Sequence, residues 1–248
     1  MKFKNVKQEV FKLEDIESLV ESIRVEVNEN FCLCFDLELH LERLLKSIEE
    51  LGFSLCVQKE EFDLFFLNQI KNKLQYKFNR QVAFTYSEFD DDLNLLRLST
   101  EIYKLRLVYK KDGCFIINLD EYQKDLKKEW KVKILEKKEF HIDSSNPIWK
   151  HKFLPRPDFS FYYNQGFDEI IWTDENGNIC EGGFTAIIFD TNKTPLANTL
   201  ESTSLRKLNL EKKETKELKQ AWLTNSLIGI KKELDLISIA ELSHSEQS

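Results

Sequence analysis

The sequence is poor in the residues that interrupt regular structure, with 7 glycines and 4 prolines among 248 residues. Collagen-like and low-complexity chains are rich in these two residues, so both classes are excluded. No stretch of about 18 residues is apolar throughout and free of charge, so no transmembrane helix is predicted. Residues 1–19 contain several acids and no long apolar core, so they predict no signal peptide, and we expect a soluble, cytoplasmic protein.

Signatures of metal binding and nucleic-acid binding are also missing. The five cysteines form no CxxC pair, and the four histidines do not supply the clustered spacing that a zinc site needs. We therefore predict no metal site and interpret the cysteines as small apolar side chains in a reducing compartment. The net charge is −7 and no basic run is interleaved with aromatic residues, so nucleic acid is not an expected partner.

What the chain does contain is enough apolar material for a core. Hydrophobic residues make up 42% of it, charged residues 32%, and 19 residues are phenylalanine. Disordered chains lack such aromatic residues, so the composition predicts a folded protein. The length suits one large domain or two small ones.

Helical and strand patterns alternate along the chain, and they predict an α+β fold in two parts. Apolar residues recur at helical spacing from Leu37 to Leu51, and Gly52 follows as a C-cap. A second amphipathic helix is predicted from Glu60 to Phe78, and a last long helix from about Leu210 onward. Strands are predicted at residues 23–27, 31–35, 82–86, 105–109, 114–118, 130–135, 169–173, 179–181 and 185–190.

The polar stretch at residues 137–147 ends in Ser-Ser-Asn-Pro, which is typical of a connection between domains. We therefore predict a smaller N-terminal α+β domain at residues 1–140 and a C-terminal domain at residues 148–248.

Five separated segments carry motifs with a specific order and spacing. Residues 19–25 read LVESIRV, close to LxETIRV, and residues 40–47 read HLERLLKS, close to HLxRLxxS. Residues 151–169 contain His-Lys, an arginine and Gly-Phe-Asp-Glu, spaced as in HKTxxR…GxDE. Residues 178–182 read NICEG, close to GxVTEG, and residues 223–229 read LTNSLIG, similar to a segment containing NSLRG. Taken together, the sequence resembles the class IV aminotransferase family, and within it the aminodeoxychorismate lyases.

The resemblance implies the two-domain α+β fold of class IV aminotransferases, which is D-amino acid aminotransferase-like, and the cofactor pyridoxal 5′-phosphate (PLP). PLP enzymes hold the cofactor as an imine with a lysine that later carries protons. By the His-Lys motif this catalytic lysine is Lys152, and Lys150 is the alternative if the motif is aligned two residues earlier. The resemblance places Glu181 beside the pyridine nitrogen, where a carboxylate favours the protonated form. Without the resemblance, a solvated lysine and an ordinary hairpin glutamate are the alternatives.

The cofactor phosphate requires cations and backbone N–H groups. The resemblance assigns Arg43 to it, and a solvated helix face with an i,i+4 ion pair is the alternative. The loop at residues 199–205 corresponds to the family's GxTR turn, so Ser204 and Leu205 are the implied phosphate-binding positions. Thr203 stands where glycine is usual.

Ser22, Arg24 and Arg156 are the candidate substrate-binding residues. Chorismate derivatives carry carboxylates, which arginine side chains bind well. Structural ion pairs are an equally weighted alternative for both arginines.

Three features depart from the family pattern, and all concern the handling of the cofactor. The glycine-rich segment usual before the first motif is missing, Ala186 replaces an asparagine, and the phosphate loop lacks its glycine and threonine. A non-catalytic relative that acts as a binding protein is therefore one alternative function.

The leading function implied by the resemblance is a PLP-dependent lyase of folate synthesis, which converts 4-amino-4-deoxychorismate to 4-aminobenzoate and pyruvate. In this reaction Lys152 removes a proton from the substrate while Glu181 supports the electron-withdrawing ring. An aminotransferase for branched-chain or D-amino acids is the alternative enzyme. Because family members are usually homodimers, we expect a homodimer, and an aminodeoxychorismate synthase is a further expected partner.

Overall fold

A computed structural model of the chain describes residues 12–85, 101–122, 130–189, 193–196, 202–206, 210–216, 218, 221–225 and 229–230. The described residues form two compact units. The N-terminal unit contains the described residues up to Tyr122 together with Lys152–Pro155. The C-terminal unit contains residues 130–151 and the described residues from Arg156 onward.

Fifteen strands and four helices are found in the described residues. In chain order the strands are β1 (Ser18–Val27), β2 (Phe31–Phe35), β3 (Gln81–Thr85), β4 (Glu101–Lys110), β5 (Phe115–Glu121), β6 (Val132–Ile134), β7 (His141–Ile142), β8 (Phe153–Leu154), β9 (Glu169–Asp174), β10 (Ile179–Gly182), β11 (Ala186–Phe189), β12 (Lys193–Pro195), β13 (Glu211–Lys213), β14 (Ala221–Asn225) and β15 (Gly229–Ile230). The helices are α1 (Leu37–Leu51), α2 (Phe62–Phe78), α3 (Ser160–Tyr163) and α4 (Thr203–Arg206). Short 3₁₀ turns occupy Leu13–Asp15, Lys59–Glu61 and Pro147–Lys150.

The N-terminal unit is built on a sheet with the order β3-β2-β1-β4-β5. Strand β1 pairs along its whole length with β4 in antiparallel register. Its other edge is shared, because β2 pairs with the C-terminal end of β1 and β8 pairs with the N-terminal end. The segment around residue 152 is therefore fixed beside β1, although it lies more than a hundred residues further along the chain.

Helix α1 packs against β1 and α2, as its apolar spacing predicts. The helix buries Leu41, Leu44 and Ile48 and ends at Gly52, whose φ of 68° is easily reached by glycine. The N–H groups of Gly52 and Phe53 donate to the carbonyls of Glu49 and Ile48, which is the pattern of a Schellman cap. Both predicted N-terminal helices are confirmed. The second, α2, begins at Phe62, because the first residues predicted for it belong to the 3₁₀ turn Lys59–Glu61.

The C-terminal unit contains two sheets. In the first, β9 pairs with β10 on one edge and with β6 and β7 on the other. The second has the order β13-β12-β11-β14-β15. Apolar side chains from both sheets share one core, whose buried members are Ile171, Ile179, Ile187, Phe189, Ala221 and Leu223.

Two features differ from the sequence-based expectations. The predicted ranges 1–140 and 148–248 differ from the observed units at two strands. Strand β6 lies in the predicted N-terminal range but pairs with β9 of the C-terminal unit, and β8 lies in the predicted C-terminal range but pairs with β1 of the N-terminal unit. The long helix predicted from about Leu210 is wrong within the described residues, where β13, β14 and β15 join a sheet through pairing that local spacing does not reveal. Among the described helices, none has both the length and the apolar character needed to cross a membrane.

Candidate active site

A buried cluster of three charged or titratable side chains lies between β1 and α1. Glu21 projects from β1, and His40 and Arg43 share one face of α1 because they are three residues apart. The Nδ1 atom of His40 is 2.7 Å from Oε2 of Glu21, and Nε of Arg43 donates to Oε1 of Glu21 at 2.8 Å. A second arginine nitrogen, Nη2, donates to Oε2. Glu21, His40 and Arg43 are only 2%, 0% and 5% exposed.

The charges of this cluster follow from its burial and its hydrogen bonds. Burial alone raises the pKa of Glu21, but the Arg43 guanidinium and the hydrogen bonds from His40 and Arg43 hold it well below its ordinary value. Burial lowers the pKa of His40, although Glu21 acts in the opposite direction, so the imidazole is neutral near pH 7. Since an ionised carboxylate only accepts hydrogen bonds, the His40 proton must be on Nδ1.

Lys152 lies beside this cluster. Its backbone carbonyl accepts a 2.8 Å hydrogen bond from the N–H of Val20, one residue before Glu21 on β1. The side chain is half-buried, and its charge contributes to lowering the pKa of His40. Lys150, the alternative lysine of the motif, is exposed at the end of a 3₁₀ turn in the C-terminal unit. The structure therefore places Lys152 beside the cluster that contains Arg43, and Lys150 belongs to the C-terminal unit.

The two predicted substrate-binding residues of β1, Ser22 and Arg24, point away from the Glu21 cluster, because side chains alternate along a strand. Arg24 forms an ion pair with Glu26, and its guanidinium carbon is 5.5 Å from the centre of the Phe35 ring. Ser22 lies on the same face as Arg24 and is half-buried. Arg24 thus has the structural ion pair that was the alternative to a substrate contact, and its substrate role stays a prediction.

In the C-terminal unit, two further predicted residues are in contact. Glu181 is buried on β10, and its Oε1 is 3.3 Å from Nη1 of Arg156. The guanidinium carbon of Arg156 is 6.0 Å from the centre of the Trp172 ring, within the range of a cation–π contact. The positive charge of Arg156 offsets the free-energy cost of burying the Glu181 carboxylate.

A second buried carboxylate, Glu169, lies at the start of β9 and is 0% exposed. It accepts hydrogen bonds from the N–H groups of Ile170, Gly183 and Phe184 at 2.8, 2.9 and 3.2 Å, and from the Thr185 hydroxyl at 2.7 Å. Burial raises the pKa of Glu169 to about 7, although these four donors favour the ionised form and limit the rise. Sequence analysis did not single out this residue.

The two glycines after Glu181 fit closely against this carboxylate. A Cβ atom on Gly182 would lie 2.6 Å from the Thr185 hydroxyl and 2.8 Å from Oε2 of Glu169. A Cβ atom on Gly183 would overlap the hydroxyl of Tyr163. Both positions therefore require glycine for steric reasons and not for a special backbone angle.

Residues 199–201 of the predicted phosphate loop lie outside the described residues, and Thr203–Arg206 form the short helix α4. The N–H groups of Leu205 and Arg206 donate to the carbonyl of Ser202 at 3.1 and 3.2 Å, so the Leu205 amide is engaged within the turn. Ser204 lies in the same helical turn. Ala186, which replaces the family asparagine, is buried on β11 opposite Thr224.

Glu21, His40 and Glu169 were not among the predicted site residues. His40 and Arg43 could have been grouped by their three-residue spacing on one helix face. Glu21 is in phase with the apolar residues Leu19, Ile23 and Val25 of β1, so it lies on their face of the strand, the face that α1 covers. For Glu169, an acid that begins an otherwise apolar strand is a signal of a buried, hydrogen-bonded carboxylate.

Comparison with known proteins agrees with the motifs. The profile of the family described as amino-transferase class IV matches residues 18–232. No curated protein sequence matches the chain.

Solved structures share the fold. A candidate amino-acid aminotransferase from Mesorhizobium loti is 20% identical with a TM-score of 0.60, and the alignment covers 86% of this chain and 96% of that chain. A candidate 4-amino-4-deoxychorismate lyase from Legionella pneumophila is 17% identical with a TM-score of 0.62, covering 92% and 88%. The branched-chain amino acid aminotransferase of Escherichia coli is 13% identical with a TM-score of 0.59, covering 91% and 79%. These likenesses show the fold, and the predicted two-domain class of fold is confirmed.

Proposed function

The chain belongs to the class IV aminotransferase family, and from this premise we propose that it is a PLP-dependent lyase acting on 4-amino-4-deoxychorismate. The products are 4-aminobenzoate and pyruvate. The observation that carries the proposal is the place of Lys152, which β8 holds against β1 next to the buried Glu21, His40 and Arg43.

The residues present fit the chemistry of PLP. The cofactor has an aldehyde, a pyridine nitrogen and a phosphate, which require an amine, a carboxylate and a cation. Lys152 and Arg43 of the N-terminal unit supply the amine and the cation, and Glu181 is the carboxylate that the family resemblance implies. When bound, PLP provides an electron sink that stabilises negative charge on the carbon next to the substrate amine.

Lys152 is the proposed proton carrier. Its amine would remove the proton from the substrate carbon that bears the amino group. The bond between the neighbouring ring carbon and the ether oxygen breaks as the ring becomes aromatic, and the released enolpyruvate takes up a proton to become pyruvate. The adjacent His40 is neutral, so it adds no positive charge that would repel a protonated lysine. Its Nδ1–H is directed at Glu21.

Glu181 is the proposed partner of the pyridine nitrogen, and Arg156 supports it. Because Arg156 contacts Glu181 at 3.3 Å, we propose that it orients this carboxylate, a role that differs from the predicted contact with substrate. The stacking of Arg156 on Trp172 restricts the movement of the guanidinium.

Arg43 is the proposed phosphate-binding cation. Its guanidinium is held by Glu21 through two nitrogens, so its position is fixed before any anion arrives. Pre-organisation of this kind reduces the entropy lost on binding. The turn at Ser202–Arg206 is the proposed second phosphate element, with Ser204 as the position that the family pattern implies.

The alternative enzyme is an aminotransferase for branched-chain or D-amino acids. It is supported by the structural likeness to the aminotransferases of Mesorhizobium loti and Escherichia coli. The likeness to the Legionella pneumophila protein, together with the HKxxxR and NSLxG segments, favours the lyase. We also propose, from the family resemblance, a cytoplasmic homodimer that receives its substrate from an aminodeoxychorismate synthase.

The test is to incubate the purified chain with PLP and 4-amino-4-deoxychorismate and to measure 4-aminobenzoate and pyruvate. In parallel, amino-group transfer from branched-chain and D-amino acids to 2-oxoglutarate is measured. Equal amounts of 4-aminobenzoate and pyruvate, absent in Lys152→Ala and retained in Lys150→Ala, support the lyase. Transfer without 4-aminobenzoate supports the aminotransferase, and no turnover of any substrate favours the non-catalytic alternative.

A further inference from the structure

The two sheets of the C-terminal unit are joined by a very short connection. Strand β10 ends at Gly182 and β11 begins at Ala186, so only Gly183–Thr185 lie between them. A chain that changes sheets over so few residues leaves backbone groups without strand partners, and these groups need other acceptors. Glu181, the proposed partner of the cofactor ring, lies just two residues before this turn.

Glu169 supplies the acceptor for all three residues of the turn. Its carboxylate accepts from the N–H of Gly183, the N–H of Phe184 and the hydroxyl of Thr185. The turn is closed further by the N–H of Gly182, which donates to the carbonyl of Thr185 at 2.9 Å. The N–H of Gly183 also donates to the carbonyl of Ile170 at 2.8 Å. The turn is therefore bonded to β9 through the Glu169 side chain and through the Ile170 backbone.

Close packing fixes the same turn from other directions. The space around Gly182 is too small for a methyl group, whose carbon would lie 2.6 Å from the Thr185 hydroxyl and 2.8 Å from Oε2 of Glu169. The ring of Phe184 stacks on the ring of Tyr163, with centroids 5.2 Å apart and planes inclined by 26°. These contacts restrict the conformations open to the turn and to the strand end that leads into it.

We propose that Glu169 is a positioning residue, whose carboxylate holds the Gly183–Thr185 turn and thereby fixes Glu181 in the orientation that meets Arg156. The part of this inference that concerns the cofactor rests on the proposed function of Glu181. The part that concerns the turn rests on the hydrogen bonds of Glu169 alone.

Two substitutions test the proposal. Glu169→Gln keeps the size of the side chain but replaces one acceptor oxygen by an NH₂ group, which meets donors of the turn. Thr185→Val removes the shortest of the four hydrogen bonds and leaves the carboxylate intact. The matched control is Glu175→Gln, because Glu175 accepts two hydrogen bonds from Ser144 at the opposite end of the β9–β10 hairpin.

Three quantities are measured in each variant: amide hydrogen exchange across residues 181–185, the affinity for PLP from its absorbance, and the absorption band of the bound PLP. In Glu169→Gln we expect amide exchange at Gly183 and Phe184 to be faster by about tenfold or more, and PLP affinity to fall by about tenfold. We also expect its absorption band to shift in the same direction as in Glu181→Gln. A variant that is merely less stable would keep the wild-type band, as we expect of Glu175→Gln.

The outcomes separate this proposal from the proposed function. Unchanged exchange in Glu169→Gln, or wild-type PLP affinity and band, would overturn the role of Glu169. If Glu169→Gln does not fold, Thr185→Val decides by the same three measurements, with smaller changes in the same directions. If the wild-type chain binds no PLP, the proposed function fails, and the exchange rates alone decide whether Glu169 holds the turn.

Discussion

The pair formed by Glu21 and Arg43 allows a quantitative prediction. Replacing Arg43 by methionine keeps much of the side-chain volume but removes the charge that compensates Glu21. The glutamate is 2% exposed, so little water can replace the lost partner. Breaking one side of a buried ion pair typically costs about 3–5 kcal/mol, and we expect Arg43→Met to lower the free energy of unfolding by this amount.

A second substitution separates the buried charge from lost packing. The double variant Arg43→Met with Glu21→Gln removes the uncompensated carboxylate, so it should be more stable than Arg43→Met by roughly 1–3 kcal/mol. If the cost of Arg43→Met came from packing alone, the second change would add a further loss.

The assay can follow the two units separately. Helices α1 and α2 belong to the N-terminal unit, so far-ultraviolet circular dichroism reports mainly on its unfolding. All tryptophans lie in the C-terminal unit's part of the sequence: Trp130, Trp149, Trp172 and Trp222. In urea, Arg43→Met should move the helical transition to lower concentration, and the double variant should restore part of the shift. A loss below about 1 kcal/mol, or a double variant less stable than the single one, would show that Arg43 does not compensate a buried Glu21 charge.

Two further predictions concern the Glu169 turn. Gly182→Ala places a methyl group 2.6 Å from the Thr185 hydroxyl, so it should lower the free energy of unfolding by about 1–3 kcal/mol, and an unchanged tryptophan-monitored melting temperature would contradict this packing. Because burial raises the pKa of Glu169 to about 7 from 4.5, its contribution to stability is complete below pH 4.5 and is lost as the pH rises through 7. Between about pH 4 and about pH 8 this loss is roughly 3 kcal/mol, and Glu169→Gln should lack it in urea titrations at the two pH values.

Local signals in the sequence were sufficient for part of the structure. The leucine spacing and Gly52 predicted α1 because a helix face and a Schellman cap depend on residues near each other in sequence. The motif series predicted the family because it combines several segments in one order. The helix predicted from about Leu210 is wrong within the described residues, since the strands found there are determined by pairing with β11 and β12.

The candidate site also depends on contacts between distant residues, which local sequence signals do not reveal. Lys152 and Glu181 were predicted from motifs, but the contact between Arg156 and Glu181 joins residues 25 positions apart and no local pattern encodes it. The return of β8 to β1 is likewise visible only as a strand pairing. Glu169 was missed because its importance comes from donors on a turn that is 14 to 16 residues away.

Trapping PLP on the protein tests directly whether Lys152 holds the cofactor. The wild-type chain, Lys152→Ala and Lys150→Ala are each incubated with PLP, reduced with borohydride and digested, and the modified peptide is identified by mass spectrometry. Reduction converts the imine to a stable link, so the label marks the lysine that holds the cofactor. We predict a label on Lys152 in the wild-type chain and in Lys150→Ala, and none in Lys152→Ala. A label that persists in Lys152→Ala, or one that is lost in Lys150→Ala, would show that Lys152 is not the lysine that holds PLP.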